Sequence, residues 1–587
     1  MGERFLQNHD AGGSLLNGLL ARSDARDRLG ALQRPPMPAP VQLDRDPPDP
    51  ALLRDQPPRL WLRAGGLPWR READGITYVA ADPARFAQFA RSLPAGMRPA
   101  RILRADRETI RAAIARCCRA SLSAAAERRV PALFSCRHLG GPGIGWRVGL
   151  IAVSAAVGSL AAFGPGTVLA LVCLVALVMM SGITFLKLAG LIAEMTSRPV
   201  SDSVRSRTHS LPIISVLVPL YDEPAIATRL LSRLQRIRYP RDRLDIVLVL
   251  EEDDARTHSA LEGTRLPPWI RVVDVPAIGT LRTKPRALNY ALDFCEGEII
   301  GIWDAEDAPE PDQLMRVAER FATAPPDVAC VQGVLDYYNA RANWMARCFT
   351  IEYAGWFRVI LPGLARMGLV IPLGGTTLFM RRGALEEMGG WDAHNVTEDA
   401  DLGVRIARFG YRTVVISSTT FEEANCRPWP WVKQRSRWLK GFMTTYIVHM
   451  RAPVRLLREL GWLRFLGVQA FFAGTLSQFL FAPILWTYWA VLLGYGHPLG
   501  SLLPGWAMAG VTGLFLLSEL VNLSLGVIAA RRCGRVSLTP WVLTLPFYYP
   551  LGVIAAYKAA WELLRAPFYW DKTRHGVSPE DESPTSA

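Results

Sequence analysis

At 587 residues the chain is too long for one ordinary hydrophobic core, so about three structural units are expected. Half of the residues are hydrophobic and the mean hydropathy is +0.14, with the apolar residues gathered in runs, which argues against a wholly soluble chain and predicts membrane spans. A net charge of +14 suits nucleic acid, anionic lipid or phosphorylated substrates. Because so many basic residues flank apolar runs, the charge is assigned to topology at the lipid surface, and nucleic acid is not an expected partner. The nine cysteines show no CxxC or Cys/His metal spacing, so reduced thiols are expected.

Residues 1–58 hold a short apolar helix candidate at Leu15-Leu16-Asn17-Gly18-Leu19-Leu20 and then a proline-rich run, which predicts a flexible segment. Residues 59–126 predict a small α/β domain. Gly75-Ile76-Thr77-Tyr78-Val79-Ala80-Ala81 reads as a strand, Asp82-Pro83 opens a helix, residues 98–104 read as a second strand, and Asp106 caps a second helix. Leu67-Pro68-Trp69, Tyr78-Val79-Ala80-Ala81-Asp82-Pro83 and Ile110-Arg111-Ala112-Ala113-Ile114 resemble the amino-terminal domain of the secretion ATPases called general secretion pathway E. Some relatives of that domain bind cyclic di-GMP. The resemblance therefore implies either a cyclic di-GMP site, whose remaining part would fall near Gly18-Leu19-Leu20 and residues 29–33, or a plain docking domain.

Residues 148–186 contain no Asp, Glu, Lys or Arg and are divided by Gly164-Pro165-Gly166, which predicts a transmembrane hairpin over 148–193. Arg128, Arg129, Arg137 and Arg147 before it, and Lys187, Arg198, Arg205 and Arg207 after it, place both ends in the cytoplasm. Residues 211–450 alternate continuous apolar runs, at 213–218, 246–250, 270–275 and 299–303, with helical patterns, as parallel strands buried on both faces do. An open, mostly parallel α/β sheet is expected, with its ligand crevice at the carboxyl ends of the strands. Residues 465–565 return to membrane: two spans divided near 496–504, the second passing Glu519 and Asn522 to Arg531-Arg532, then a stretch interrupted by Pro540, Pro546 and Pro550. That stretch is read as a broken or re-entrant element rather than a full span, because a full span would put the basic tail, 566–587, outside.

The chemistry lies at the predicted strand ends. Asp222 and Glu223 follow the first strand, and Asp304, Glu306 and Asp307 follow a later one; carboxylates at such spacing suit a hard divalent ion, Mg²⁺ or Mn²⁺. Lys284 at a helix start suits phosphate, although a surface basic loop reads the same way. Asp399 precedes the helical run Leu402, Ile406 and Phe409, where it is either a base or an acid complementing the helix dipole. Gln434, Arg437 and Trp438 share one helix face, a clamp for phosphate and sugar or a packing surface.

These motifs, in this order over residues 211–450, resemble the family 2 glycosyltransferases, particularly the membrane-embedded processive type that includes cellulose synthase and hyaluronan synthase. The resemblance implies a GT-A-type sheet inserted between transmembrane helices in a bacterial inner membrane, with the catalytic domain cytoplasmic. It also implies inverting, metal-dependent transfer from a nucleotide-diphospho-sugar, a UDP-sugar, to a growing polysaccharide. Carried over residue by residue, Asp222, Glu223, Lys284 and Asn289 hold the donor, and Asp253, within the ambiguous Glu251-Glu252-Asp253, contacts the base. Asp304 with Glu306 or Asp307 holds the metal. Within Thr397-Glu398-Asp399, Asp399 is the base. Gln434 and Arg437 bind the donor, while Trp438 and Glu398 face the acceptor. Trp570, Lys572, Thr573, His575 and Gly576 suit a tail that closes over the site, and export implies an outer-membrane partner. Two rivals stand beside this reading: a single transfer to a lipid phosphate acceptor, and a catalytically weak receptor or scaffold, which Glu306 standing where the family has Asp suggests.

Overall fold

The computed structural model describes residues 41–139, 164–196, 210–223, 227–279, 281–501 and 503–569, with a few positions between 155 and 162. The chain divides into two compact units after Ala125.

In the first unit, strands β1 (Gly66–Glu72), β2 (Gly75–Ala80) and β3 (Pro99–Arg104) form one sheet in that order, β1 antiparallel and β3 parallel to β2. A parallel step needs a crossover, and helix α1 (Pro83–Ala90) supplies it, its first amides donating to the Asp82 carboxylate at 3.0 and 3.1 Å. Asp106 caps α2 (Arg107–Cys117) in the same way. The expected freedom of residues 1–58 does not extend over their described part. Leu43, Leu52 and Leu53 are buried in this unit's core, because the prolines there are interleaved with leucines that a small domain needs. Residues 1–40, including Gly18-Leu19-Leu20 and 29–33, lie outside the described residues.

In the second unit, β4 (Ile214–Leu220), β5 (Leu244–Glu251), β6 (Ile270–Val275) and β7 (Ile299–Ile302) are mutually parallel in the order β6-β5-β4-β7. Strands β4, β5 and β7 are buried on both faces, whereas the edge strand β6 leaves Val272 and Asp274 exposed. The sheet continues through β8 (Ala308–Pro309), β9 (Val328–Tyr337), β10 (Leu378–Arg381) and β11 (Arg412–Glu422), giving the order β6-β5-β4-β7-β10-β9-β11-β8. Strand β10 runs antiparallel between β7 and β9, while β11 is parallel to β9. Four parallel strands thus release their carboxyl ends, and the residues that follow them, along one edge.

The helices of this unit include α3 (Pro165–Thr196), α4 (Lys284–Leu292), α5 (Trp344–Gly355), α6 (Leu361–Arg366), α7 (Glu398–Arg408), α8 (Pro428–His449), α9 (Gly505–Arg532) and α10 (Pro550–Arg565). Two π-helical turns, Trp356–Ile360 and Gln469–Ala473, interrupt otherwise continuous helix. By length and composition, Val168–Thr196 and Gly505–Arg532 suffice to cross a membrane. Two bent pairs also qualify if each is one span: Pro453–Leu480 with Ala482–Trp489, bent by 70°, and Val536–Tyr548 with Pro550–Arg565, bent by 45°. The second of these is the proline-interrupted stretch. The first arm of the expected hairpin and the tail from Trp570 lie outside the described residues. Helices α3 and α6 touch backbone to backbone: a Cβ on Gly363 would lie 2.1 Å from the Gly190 carbonyl oxygen, so a side chain there would force the helices apart.

Candidate active site

The parallel edge of the sheet opens into a cavity of about 850 Å³ that runs from the strand ends to the apolar helices. Lys284, first residue of α4, reaches it because Thr283 caps the helix, its hydroxyl accepting from the Arg286 amide at 3.4 Å. The Lys284 ammonium donates to the Asp304 carboxylate and, at 3.0 Å, to the Gly375 carbonyl. Burial alone would lower its pKa, but Asp304 and Glu398 outweigh it and keep the amine charged.

The turn after β7 sorts its acids. Asp307 points inward, its Oδ2 accepting from the Asp304 amide at 2.7 Å and from the Thr376 hydroxyl, and it is 2% exposed. Burial, then Asp304 and Glu306, push its pKa well up. Asp304 and Glu306 face the cavity. Among the described residues no group of three or more His, Cys, Asp or Glu is arranged to hold a metal. Two carboxylates facing a cavity beside cationic groups still fit a hard ion that completes its shell with phosphate oxygens and water.

Asp399, in the first turn of α7, lines the same cavity as Glu398. Burial, then the Glu398 carboxylate, raise Asp399 to about 7, against the Ala400 amide, which donates to it at 2.8 Å, and Lys284. The opposing backbone comes close at Gly375: a Cβ there would stand 3.2 Å from Asp399 Oδ2, so a side chain would press on the carboxylate.

Helix α8 brings the remaining wall. Gln434 accepts from the Asn425 amide at 2.8 Å. Arg437 is half-buried at the cavity wall among Glu398, Asp304, Glu306 and Asp399, burial lowering its pKa and the carboxylates pulling it back. The Trp438 ring stacks on Tyr353 at 5.9 Å and 26°, with the Arg435 guanidinium 4.7 Å from its centre, and Arg435 is anchored on Glu352 at 2.6 Å. Helices α7 and α8 close on each other at Gly441, where a Cβ would lie 2.1 Å from Thr397 Oγ1.

Glu223, Lys284, Asp304, Glu306, Glu398, Asp399, Gln434, Arg437 and Trp438 therefore share one cavity, whereas Asp222, Asp253, Asn289 and Asp307 do not line it. Asp222, at φ +52°, donates its amide to Asp254 at 2.6 Å and pairs with Arg256. Asp253 lies 3.4 Å from Arg282, and Glu251, buried on Arg286 at 3.1 Å, is the cavity-lining member of its triplet. Asn289 is fully buried in backbone hydrogen bonds. Sequence reasoning missed Gly375, Thr376 and Glu422. The Gly-Gly-Thr-Thr run after an apolar stretch was a signal for the first two. Thr377 there, a β-branched residue at φ +55°, is held by Ile302, Gly333 and Gln332 in a conformation that costs free energy and recurs at functional sites.

Residues 212–441 match the family model described as glycosyltransferase like family 2. These residues are a glycosyltransferase family 2 domain. Residues 35–124 match the MshEN domain, in the position of the predicted secretion-ATPase-type unit. Among curated relatives, the transferase domain and its surroundings are 26% identical over 391 residues to a beta-monoglucosyldiacylglycerol synthase of Synechocystis, covering 63% of this chain and 76% of that one. They are 26% identical over 239 residues to the probable glycosyltransferase YdaM of Bacillus subtilis, covering 40% and 57%. The chain thus spans little more than half of the latter's length. Among solved structures, a mannosyltransferase of Pyrobaculum calidifontis in complex with GDP-Man and Mn²⁺ aligns with 18% identity, 65% of this chain, 99% of that one and a TM-score of 0.39.

Proposed function

We propose that the chain is a multi-pass inner-membrane enzyme that transfers a sugar, with inversion, from a nucleotide-diphospho-sugar, a UDP-sugar, to a growing polysaccharide, and couples transfer to export towards an outer-membrane partner. The observation that carries this reading is the single cavity: Lys284, Asp304 and Asp399 line one part, while Lys187, Glu519 and Asn522, on helices apolar enough to span a membrane, line another. A donor bound by its diphosphate near Lys284 and Arg437 and an acceptor arriving from the bilayer meet between them.

In this mechanism Asp399 takes the proton of an acceptor hydroxyl as that oxygen attacks the anomeric carbon. The bond from that carbon to the diphosphate oxygen breaks, and the electron pair leaves with the diphosphate. Lys284 and Arg437 offset the charge that develops there. Mg²⁺ or Mn²⁺ held by Asp304 and Glu306 would supply further neutralisation of the same oxygens. Asp307 keeps the turn in shape, and Trp438 seats the acceptor sugar. Asp399→Asn should lower transfer by roughly 10²- to 10⁴-fold with UDP binding retained. Labelled UDP-sugars supplied to membranes containing the protein, with products sized, test the reading, and near-normal product from Asp399→Asn would overturn the assignment of the base.

A second reading, one sugar moved once to a lipid, is favoured by the Synechocystis relative, whose name gives a glycolipid product, and by the apolar cavity wall at Phe479, Phe515 and Leu525. Product size separates the two. The MshEN match supports cyclic di-GMP as a ligand of residues 35–124, which binding of labelled nucleotide tests.

A further inference from the structure

The loop that leads into Asp399 is held by a segment outside the matched transferase residues. Residues 126–139 begin the second unit, with Val130, Ser135, Cys136 and Leu139 buried. Arg129 donates to the Asn289 carbonyl at 3.2 Å and to Asp293 at 2.8 Å, both at the carboxyl-terminal side of α4. The Asn289 amide donates to the Ala126 carbonyl at 3.0 Å and to the Trp391 carbonyl at 2.6 Å, and its oxygen accepts from the Trp391 amide at 2.9 Å. One buried side chain thereby joins the segment, the Lys284 helix and the start of the loop.

The next residue, Asp392, is 1% exposed and is used on both oxygens: Oδ1 accepts from the Ser135 hydroxyl at 2.8 Å, and Oδ2 from the Cys136 amide at 2.7 Å. From there the loop is hydrogen-bonded onward. The Asn395 amide donates to the Asp392 carbonyl at 3.0 Å, Asn395 Oδ1 accepts from the Thr397 amide at 3.0 Å, and Asn395 Nδ2 reaches Thr445 on α8 at 3.2 Å. Thr283, the cap of α4, donates to the Ala393 carbonyl at 2.7 Å. On the far side of the segment, Arg451 holds the Ser135 carbonyl at 2.9 Å, and Phe134 lies 5.7 Å from Phe409 just past α7.

We propose that residues 126–139 are a working part of the catalytic unit, a strap that fixes the 391–397 loop through Asp392 and so places the Asp399 carboxylate against Lys284 and the acceptor. Asp392 and Ser135 are positioning residues; neither lines the cavity. The inference rests on Asp399 being the base, and it explains why Asn289, which resemblance assigns to the donor, is fully occupied elsewhere. A misplacement of about 1 Å at a reacting group costs roughly 10²-fold in rate, so loosening the strap should act on turnover and not on donor affinity.

The test uses the full-length protein in lipid nanodiscs, with Asp392→Asn, which sets an amide group against Cys136 or Ser135, and the milder Ser135→Ala. Amide hydrogen exchange over 393–399 should quicken by roughly tenfold or more in both, with the β5 amides unchanged, because the opening is local. With UDP-glucose as donor, kcat should fall by roughly tenfold or more for Asp392→Asn, with KM for the donor within about twofold, and the double variant should be no worse than Asp392→Asn alone. Unchanged exchange in the loop, or quickening of the β5 amides to the same extent, would overturn the strap. If the wild-type chain transfers no sugar from any of a panel of UDP-sugars while the loop responds as described, the strap stands and the assigned reaction falls.

Discussion

Asp399 is half-buried beside a second carboxylate, and in the proposed reaction that sets the pH at which it can act. A base must first lose its own proton, and burial with Glu398 alongside holds that proton up to about 7. The kcat/KM for transfer, which reports the free enzyme, should therefore rise with pH through about 7. Glu398→Gln removes the like charge, lowers the Asp399 pKa and moves this limb to lower pH; Lys284→Met removes the opposite charge and moves it higher. A pH–rate profile of each variant checks both directions. The same shift has a cost in stability: the unfolded chain gives up this proton near 3.8 and the folded one near 7, so stability falls as pH rises between them and the loss is complete above the higher value. Asp392 has the opposite sense. Burial would raise it, but hydrogen bonds from His394, Cys136 and Ser135 hold it at about 2, a contribution present above 3.8 and lost as pH falls through about 2.

At the scale of elements, the separation of α7 from α8 decides whether Asp399 and Trp438 face one another. Gly441 permits it, since any Cβ there would lie 2.1 to 2.6 Å from three atoms of the Thr397 side chain. Gly441→Ala should cost about 1–3 kcal/mol by overpacking and lower transfer as α8 retreats. Thermal unfolding and product formation measure the two effects. Thr397→Ala removes two of the three opposing atoms, and among the described residues Thr397 Oγ1 has no hydrogen-bond partner to lose, so the double variant should recover part of both.

At the scale of the molecule, one cavity joins a charged pocket to apolar helices, so a residue far from the reaction can affect the product and not the chemistry. Glu519→Leu should impair delivery of product across the membrane more than release of nucleotide; equal loss of both, measured in sealed vesicles, would count against a passage. The first four parallel strands were legible because each is mainly apolar, although Ser215 interrupts β4 and Arg271 and Asp274 interrupt β6, and the carboxylates after them were legible because parallel strands gather their ends. Strands β9 and β11 were not: Gln332 and Asp336 interrupt one, and the other is rich in Ser and Thr. Those side chains are satisfied by partners distant in sequence, such as Thr376 for Gln332 and Arg358 for Asp336. For the same reason Asn289 and Asp307 looked like ligands: sequence shows a polar side chain but not which buried backbone group it serves. Within the Asp304 turn, the direction each acid faces depended on Thr376, 69 residues beyond Asp307.

The two π-helical turns set Trp356 and Phe471 ring to ring, centroids 5.2 Å apart and planes 28° from parallel, both in the cavity wall. A π turn is an α-helix carrying one residue more than its hydrogen bonding needs. Deleting a single residue from either restores the ordinary ladder and leaves the helix beyond it in phase, while the side chains at the turn itself are re-aimed. Length, rather than residue type, is thus a variable to which this wall responds: chains one residue shorter at either turn should keep the helix and present a differently shaped cavity to the acceptor.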